Sequence, residues 1–392
     1  MTMTYEKLTP DNLGAYLKQA GIFFDPGANL SVEELSDGNI NYVFRVTDDA
    51  TGKSIIVKQA APTMRSRPQN ALSQDRIIFE MDSLRVMNEI MPGSVPEVYF
   101  YDKDMKCFCM EDCREYSLLR KRLMQYEIFP FLGKGISEYL ARLHFFTSDF
   151  HAVPEEKKAQ VKAFINPALC EITERLVYTE PFTDYLHKNT IPDELKEYVR
   201  ENVYEDEELK AAVAEQKYLF MTGTQALLHG DLHTGSIFIK EDGFKAFDSE
   251  FAFYGPCSYD LACVVGNLLF SYLYTRVTNG PAAYRDWVIG CAQEVLDHYE
   301  ECFRGLAVGE KTDLMLGNPA FVDKFLQQNT RDSLATAGIE MLRRTISVAK
   351  VAEIVQLPEE LIVPARRMAI DAGRELTLHP EKYNHHLEAL FE

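Results

Sequence analysis

The stretch His229-Gly-Asp-Leu-His-Thr-Gly-Ser236, followed by Phe247-Asp-Ser-Glu-Phe251, decides how this chain is read. Moving a phosphoryl group from a nucleotide to a hydroxyl needs one carboxylate to orient the hydroxyl and accept its proton, and further acidic groups to hold magnesium against the phosphates. A His-x-Asp loop supplies the first, with a metal ligand five residues beyond the Asp. Asp231 fits the first role and Ser236 stands at the second. A serine hydroxyl is a weaker magnesium ligand than an amide carbonyl or a carboxylate, so the missing coordination is expected from Asp248 and Glu250. On an extended backbone residues i and i+2 share a face, which would bring both acids to one metal cluster and turn Ser249 away.

Either acid alone reads as a turn, a cap or a solvated strand edge. Their setting distinguishes them. Ala226-Leu-Leu228 reads as a strand entering the loop, Ser236-Ile-Phe-Ile-Lys240 as a strand leaving it, and Glu241-Asp-Gly243 as the hairpin turn that returns the chain to Asp248. His229 is expected to hold the loop through backbone hydrogen bonds, and Asp260 to brace it from the following helix. Upstream, Leu8 to Ala20 predicts an amphipathic helix after the start signal Thr9-Pro10-Asp11. Leu35 to Val46 predicts strand, turn and strand, and Ser54 to Gln59 a further strand carrying Lys58. A helix is expected over Ser73 to Met91, then strands over Val95 to Tyr101 and Lys106 to Met110. Beyond these the periodicity is helical: Pro130 to Phe146, with His144 as a core or capping histidine, most of 155 to 222, Tyr259 to Tyr274, and the remainder.

Composition narrows the partners. With 46% hydrophobic and 26% charged residues among 392, the chain is that of an ordinary globular protein long enough for two or three lobes. A formal charge of -19 argues against a nucleic-acid or anionic-membrane partner, either of which asks for a basic face. The eight cysteines are scattered in apolar contexts and read as reduced core thiols, with no second pair to complete a zinc site around Cys107, Cys109 and Cys113. The opening residues lack an apolar secretory core, and the apolar run Leu261 to Tyr274 is too short to span a bilayer, so a cytoplasmic protein is expected.

The motif, its Phe251-Ala-Phe-Tyr-Gly-Pro256 tail and Asp260 closely resemble the 5-methylthioribose kinase family, within the wider group of kinase-like folds that includes aminoglycoside and choline kinases. The resemblance spans nearly the whole chain. It implies an α+β, two-lobed, protein-kinase-like fold: a small antiparallel sheet with a helix over 1–110, a connector over 111–115, and a large, mostly helical lobe over 111–392. It implies ATP and magnesium, a small sugar as acceptor, and a homodimer. The turn Ser36 to Asn41 would cover the nucleotide phosphates, with Gly38, Asn39 and Asn41 against them. Lys58 would grip the phosphates and pair with Glu80, with Asp82 as the rival partner. Met110, Glu111 and Asp112 would lie along the adenine edge, and Arg343 with Arg344 would face the sugar and the transferred phosphoryl group. Adjacent helical residues point about 100° apart, so both arginines reach one ligand only from a helix end.

One departure concerns the acceptor. The family carries a tryptophan in the loop after the nucleotide lysine, whereas Thr63 to Ala71 has none and the single tryptophan is Trp287. A kinase for another 5-modified ribose such as 5-deoxyribose, an aminoglycoside- or choline-type phosphotransferase, and a non-catalytic nucleotide-binding protein are the alternatives. Arginines at the acceptor side would repel a cationic amine, and a binding module has no chemical need for Asp231.

Overall fold

The structure, a computed structural model, describes residues 5–35, 41–64 and 67–391. The expected turn over the phosphates, with Gly38 and Asn39, lies outside the described residues.

The N-terminal part holds a five-stranded antiparallel sheet of order β1-β2-β3-β7-β6. Its strands are β1 (Leu30–Glu34), β2 (Asn41–Asp48), β3 (Ser54–Ala60), β6 (Val98–Asp102) and β7 (Cys107–Glu111); the hairpin β4 (Thr63–Met64) and β5 (Arg67–Ala71) stands apart from it. The first strand lies earlier than expected, because Leu35 is past its end: the register pairs Leu30 with Asp48 and Glu34 with Phe44. Helix α1 (Pro10–Ala20) covers one side, burying Leu13 and Leu17 with Phe44, Val46, Ile55 and Val57. Its position is fixed by Gln59, a fully buried strand residue whose amide accepts from Leu8 N and donates to the carbonyls of Glu6 and Met105. Helix α2 (Arg76–Ile90) packs on the other side through Ile77, Met81, Leu84 and Met87.

The rest of the chain is mostly helical. After β8 (Ser117–Leu118) come α3 (Leu119–Leu123) and α4 (Leu132–Thr147). Then follow α5 (Pro154–Ala163), α6 (Pro167–Leu176), α7 (Glu180–Thr183), α8 (Lys196–Val199) and α9 (Glu207–Thr222). The short strands β9 (Ala226–Leu227) and β12 (Tyr254–Gly255) pair with each other, and β10 (Ile237–Lys240) lies between β8 and β11 (Gly243–Ala246). Five helices complete the lobe: α10 (Ser258–Val277), α11 (Ala282–Gly309), α12 (Pro319–Ile346), α13 (Ala352–Val355) and α14 (Glu359–Leu378).

Helix α10 is the axis of this lobe. Every residue from Ser258 to Leu273 is buried, which is the fate of a helix that is apolar on all sides. Helix α12 crosses α14 closely at Gly338 and Gly373, where a Cβ on Gly338 would come within 2.4 Å of the Gly373 carbonyl oxygen. That crossing and α10 fix where the last turn of α12, with Arg343 and Arg344, ends. Among the described residues no helix is long and apolar enough to cross a membrane, and all eight cysteines are free thiols, six of them buried.

Candidate active site

The loop after β9 is held at its first residues by one buried carboxylate. Asp260, in the first turn of α10, accepts the backbone N–H of His229 at 2.6 Å and of Gly230 at 2.9 Å. His229 donates Nε2–H to the Phe247 carbonyl at 2.9 Å, so the Asp231 loop and the strand leading to Asp248 are locked together. Both bracing roles expected of His229 and Asp260 are present. Gly230 adopts φ +84°, and a Cβ there would stand 2.2 Å from the Phe251 carbonyl oxygen, so only glycine lets the two acidic segments approach. His144 is fully buried, with Nδ1 3.1 Å from the Tyr299 hydroxyl, in the core role expected.

Asp248 and Glu250 reach one cluster by a different route from the one expected. The backbone is not extended there: Asp248 lies in the left-handed region at φ 67°, a conformation that costs a non-glycine residue roughly 1–3 kcal/mol and recurs where a functional side chain must be aimed. Ser249 does turn away, its hydroxyl 2.7 Å from that of Ser83 on α2. Asn166, also left-handed at φ 38°, closes the turn from α6 by donating to the carbonyls of Glu250 and Ala252 at 2.9 and 3.0 Å. Carboxylate oxygens of Glu80, Asp248 and Glu250 lie within 4.8 Å of one another.

Two cations face these three acids. Lys58 Nζ is 2.7 Å from Glu80 and 2.5 Å from Asp248, so Glu80 rather than Asp82 is its helix partner. Burial opposes the charge of Lys58, but Asp248, Glu80 and Glu250 together hold its ammonium above the ordinary lysine value. Arg76, one helical turn before Glu80, donates to Asn41 Oδ1 at 3.1 and 2.8 Å, and Asn41 donates to Glu250 Oε2 at 3.0 Å. Burial, and then the charge of Asp248, push the Glu250 carboxyl above its usual value. Burial pushes the Glu80 carboxyl up as well, to about 8, so these packed acids resist full ionisation on their own; hard oxygen ligands of that kind fit a magnesium ion, which would favour their charged forms. Asp248 keeps 45% of its side chain exposed, so it is the acid of the three that a ligand reaches first.

The acceptor side is built from the far end of the chain. Arg344 Nη2 lies 3.4 Å from Asp231 Oδ1 and Arg343 Nη2 4.0 Å from the same oxygen. Both arginines stand in the last turn of α12, the helix end their adjacency required. Glu340, 2% exposed, anchors the pair: it accepts from Arg343 Nε, from Arg343 Nη2 at 3.2 Å and from Arg344 Nε at 2.7 Å. Burial works against the charge of Glu340, yet the two guanidiniums bring its carboxyl down to about 2. Asp231 is 29% exposed, within reach of a hydroxyl.

Two groups of predicted residues have other partners here. Ser236 is 2% exposed and its hydroxyl lies 3.2 Å from His233 Nδ1. The connector acids are engaged in framework bonds, Glu111 with Lys245 at 2.7 Å and Asp112 with Arg45 at 2.9 Å and Ser54 at 2.7 Å, and the Glu111 N–H donates to the Glu97 carbonyl at 2.9 Å. Sequence reasoning missed Arg76, Glu340, Asn166 and Arg120, the last of which donates to the Thr234 hydroxyl in the Asp231 loop at 3.1 Å. The spacings Arg76-x-x-x-Glu80 and Glu340-x-x-Arg-Arg344, which align side chains on one helix face, were the available signals for the first two; nothing local marked the others.

Comparison with known proteins bears on the family and the fold. The family model described as the phosphotransferase enzyme family matches residues 31–290. A methylthioribose kinase of Yersinia pseudotuberculosis serotype IB (strain PB1/+) is 35% identical over 379 residues, covering 95% of this chain and 93% of its own. A methylthioribose kinase of Geobacillus kaustophilus (strain HTA426) is 36% identical over 380 residues, covering 96% and 94%. Among solved structures, choline kinase from Cryptosporidium parvum Iowa II superposes with a TM-score of 0.53 at 14% identity, covering 98% of this chain and 100% of that one. A glucosamine kinase gives 0.52 at 14% identity, covering 97% and 86%. The two structural likenesses bear on the fold alone, which is the two-lobed kinase-like fold expected.

Proposed function

The chain belongs to the methylthioribose kinase family, and on that footing we propose that it transfers the γ-phosphoryl group of ATP to the 1-hydroxyl of 5-methylthioribose. The observation that carries the acceptor assignment is the convergence of Arg343 and Arg344 on Asp231, across more than a hundred residues of sequence. Two guanidiniums there suit sugar hydroxyls and developing phosphoryl charge, and oppose a cationic acceptor.

In this mechanism Lys58, held by Glu80, grips the ATP phosphates, and the backbone of Met110, Glu111 and Asp112 takes the adenine edge. Gly38 and Asn39 are assigned to the phosphates as well; the amide of Asn41, expected there too, is taken by Arg76 and Glu250 and so supports the metal acids instead. Asp248 and Glu250 would hold magnesium, with Ser236 as a further candidate; the ion supplies neutralisation of the phosphate oxygens. Asp231 orients the acceptor hydroxyl and accepts its proton as the hydroxyl oxygen bonds to the γ-phosphorus and the bridging oxygen departs with ADP. Arg343 and Arg344 stabilise the negative charge spread over the transferred group. A division into a nucleotide lobe over 1–110 and an acceptor lobe over 111–392 belongs to the same proposal. So do a cytoplasmic location, with which the eight free thiols are consistent, and a homodimer.

The test is ADP release from magnesium-ATP with 5-methylthioribose, 5-deoxyribose, ribose and choline offered side by side. A preference for 5-methylthioribose of at least an order of magnitude in kcat/KM is expected, and the 1-phosphate is expected as product. Equal use of 5-deoxyribose would place the specificity elsewhere than the methylthio group, and silence with every acceptor would refute the reading.

A further inference from the structure

His233 stands two residues beyond Asp231, and hydrogen bonding fixes which tautomer its neutral ring adopts. Its Nδ1 accepts the backbone N–H of Gly235 at 3.0 Å and lies 3.2 Å from the Ser236 hydroxyl. A backbone N–H can only donate, so Nδ1 must present a lone pair and the single ring proton must sit on Nε2. A charged imidazolium would set two hydrogens against each other at Nδ1. The surroundings act in the same direction: burial first, then the guanidiniums of Arg344, Arg120 and Arg343, hold the ring neutral.

The protonated nitrogen lies near the base, at the outer limit of a hydrogen bond. Nε2 is 3.5 Å from Asp231 Oδ2, while Arg344 and Arg343 face Oδ1 at 3.4 and 4.0 Å. The two oxygens of Asp231 are thus divided, one toward two cations and one toward a neutral donor. Catalytic hydrogen bonds are often long in an unliganded site and tighten when the substrate is in place. A neutral donor can hold a carboxylate in one orientation with less loss of basicity than a third cation would cause.

The loop just after His233 is held from outside. Arg120, in α3 directly after β8, takes the next residue at two points: its backbone N–H meets the Thr234 carbonyl at 2.9 Å and its Nε the Thr234 hydroxyl at 3.1 Å. Its Nη2 donates to Asn267 Oδ1 on α10 at 2.7 Å, and Asn267 in turn donates to Glu340 at 3.4 Å. The loop that aims His233 and the carboxylate that aims the twin arginines therefore share one frame.

We propose that His233 is a positioning residue for phosphoryl transfer, its Nε2–H orienting Asp231 so that the carboxylate meets the acceptor hydroxyl. This rests on Asp231 being the base, as in the function proposed above. The experiment is steady-state kinetics with magnesium-ATP and 5-methylthioribose on His233→Gln, His233→Asn and His233→Ala, each checked for folding by thermal melting, with Asp231→Asn alongside. A glutamine amide nitrogen reaches the Nε2 position, whereas the asparagine oxygen reaches only the Nδ1 position. His233→Gln is expected to keep kcat within about tenfold of the parent, and the Asn and Ala variants to lose about 100-fold, the scale of a mispositioned general base. KM for ATP should stay within about twofold throughout, since no ATP contact is touched. Asn matching or exceeding Gln would mean that the ring serves only the Gly235 N–H. Gln as inactive as Ala, or all three as active as the parent, would equally overturn the proposal. Turnover retained by Asp231→Asn would instead strike the assignment of the base, which separates the two failures.

Discussion

Replacing Glu340 with glutamine removes the counter-charge of the twin arginines while keeping the size of the side chain. In the parent, three donors from Arg343 and Arg344 converge on a carboxylate that is 2% exposed, and its pKa is brought down to about 2. A carboxyl whose folded pKa is depressed contributes stability above its unfolded value and loses it as pH falls through the folded one. Set against an unfolded pKa near 4.5, the contribution is roughly 3 kcal/mol at pH 7 and falls to roughly 1.5 kcal/mol at pH 3, almost all of the loss lying below pH 4.5. A glutamine keeps one acceptor but points its NH2 at the other guanidinium, so two buried cations lose their neutraliser; removing one partner of a buried pair costs about 3–5 kcal/mol. Denaturant unfolding of parent and Glu340→Gln should therefore differ by about 3 kcal/mol at pH 7, and the gap should narrow by about half at pH 3. In kinetics, KM for ATP should hold while kcat/KM for 5-methylthioribose falls by at least about tenfold, because Arg343 and Arg344 lose their aim at Asp231. A gap under about 1 kcal/mol at pH 7, or one that does not shrink toward acid, would refute the role given to Glu340.

Two further substitutions test the frame around the acids. Gly230→Ala adds a Cβ 2.2 Å from the Phe251 carbonyl oxygen at a φ of +84°; it should lower the melting temperature and reduce kcat by about 100-fold, the scale expected when catalytic groups move by about 1 Å, and full turnover would contradict the close approach. Arg76→Met cuts the chain from Arg76 through Asn41 to Glu250; the magnesium concentration giving half-maximal rate should rise about tenfold with kcat at saturating metal little changed, and an unchanged magnesium titration would show that Glu250 needs no such support.

The sequence by itself determined what is written in short-range spacing. His-x-Asp, the hairpin back to Asp248, the apolar helix after Asp260 and the lysine strand followed by the Glu80 helix are patterns of two to twenty residues, and local periodicity and turn chemistry suffice to place them. Two local expectations failed because contacts beyond the local sequence override them. The first sheet strand ends before Leu35, because its register with β2 is set by pairing and not by its own composition. Asp248 is left-handed where an extended backbone was expected, because the approach of Phe251 to Gly230 and the grip of Asn166 bend the turn around Glu250. What only the tertiary structure decided are the partners that meet across the chain: Asn41 on Glu250 over 209 residues, Arg344 on Asp231 over 113, Arg120 on Asn267 over 147. No spacing encodes such pairs. They form because burying a charged group is tolerable only where a partner arrives, and which partner arrives is settled by how α10, α12 and the sheet pack.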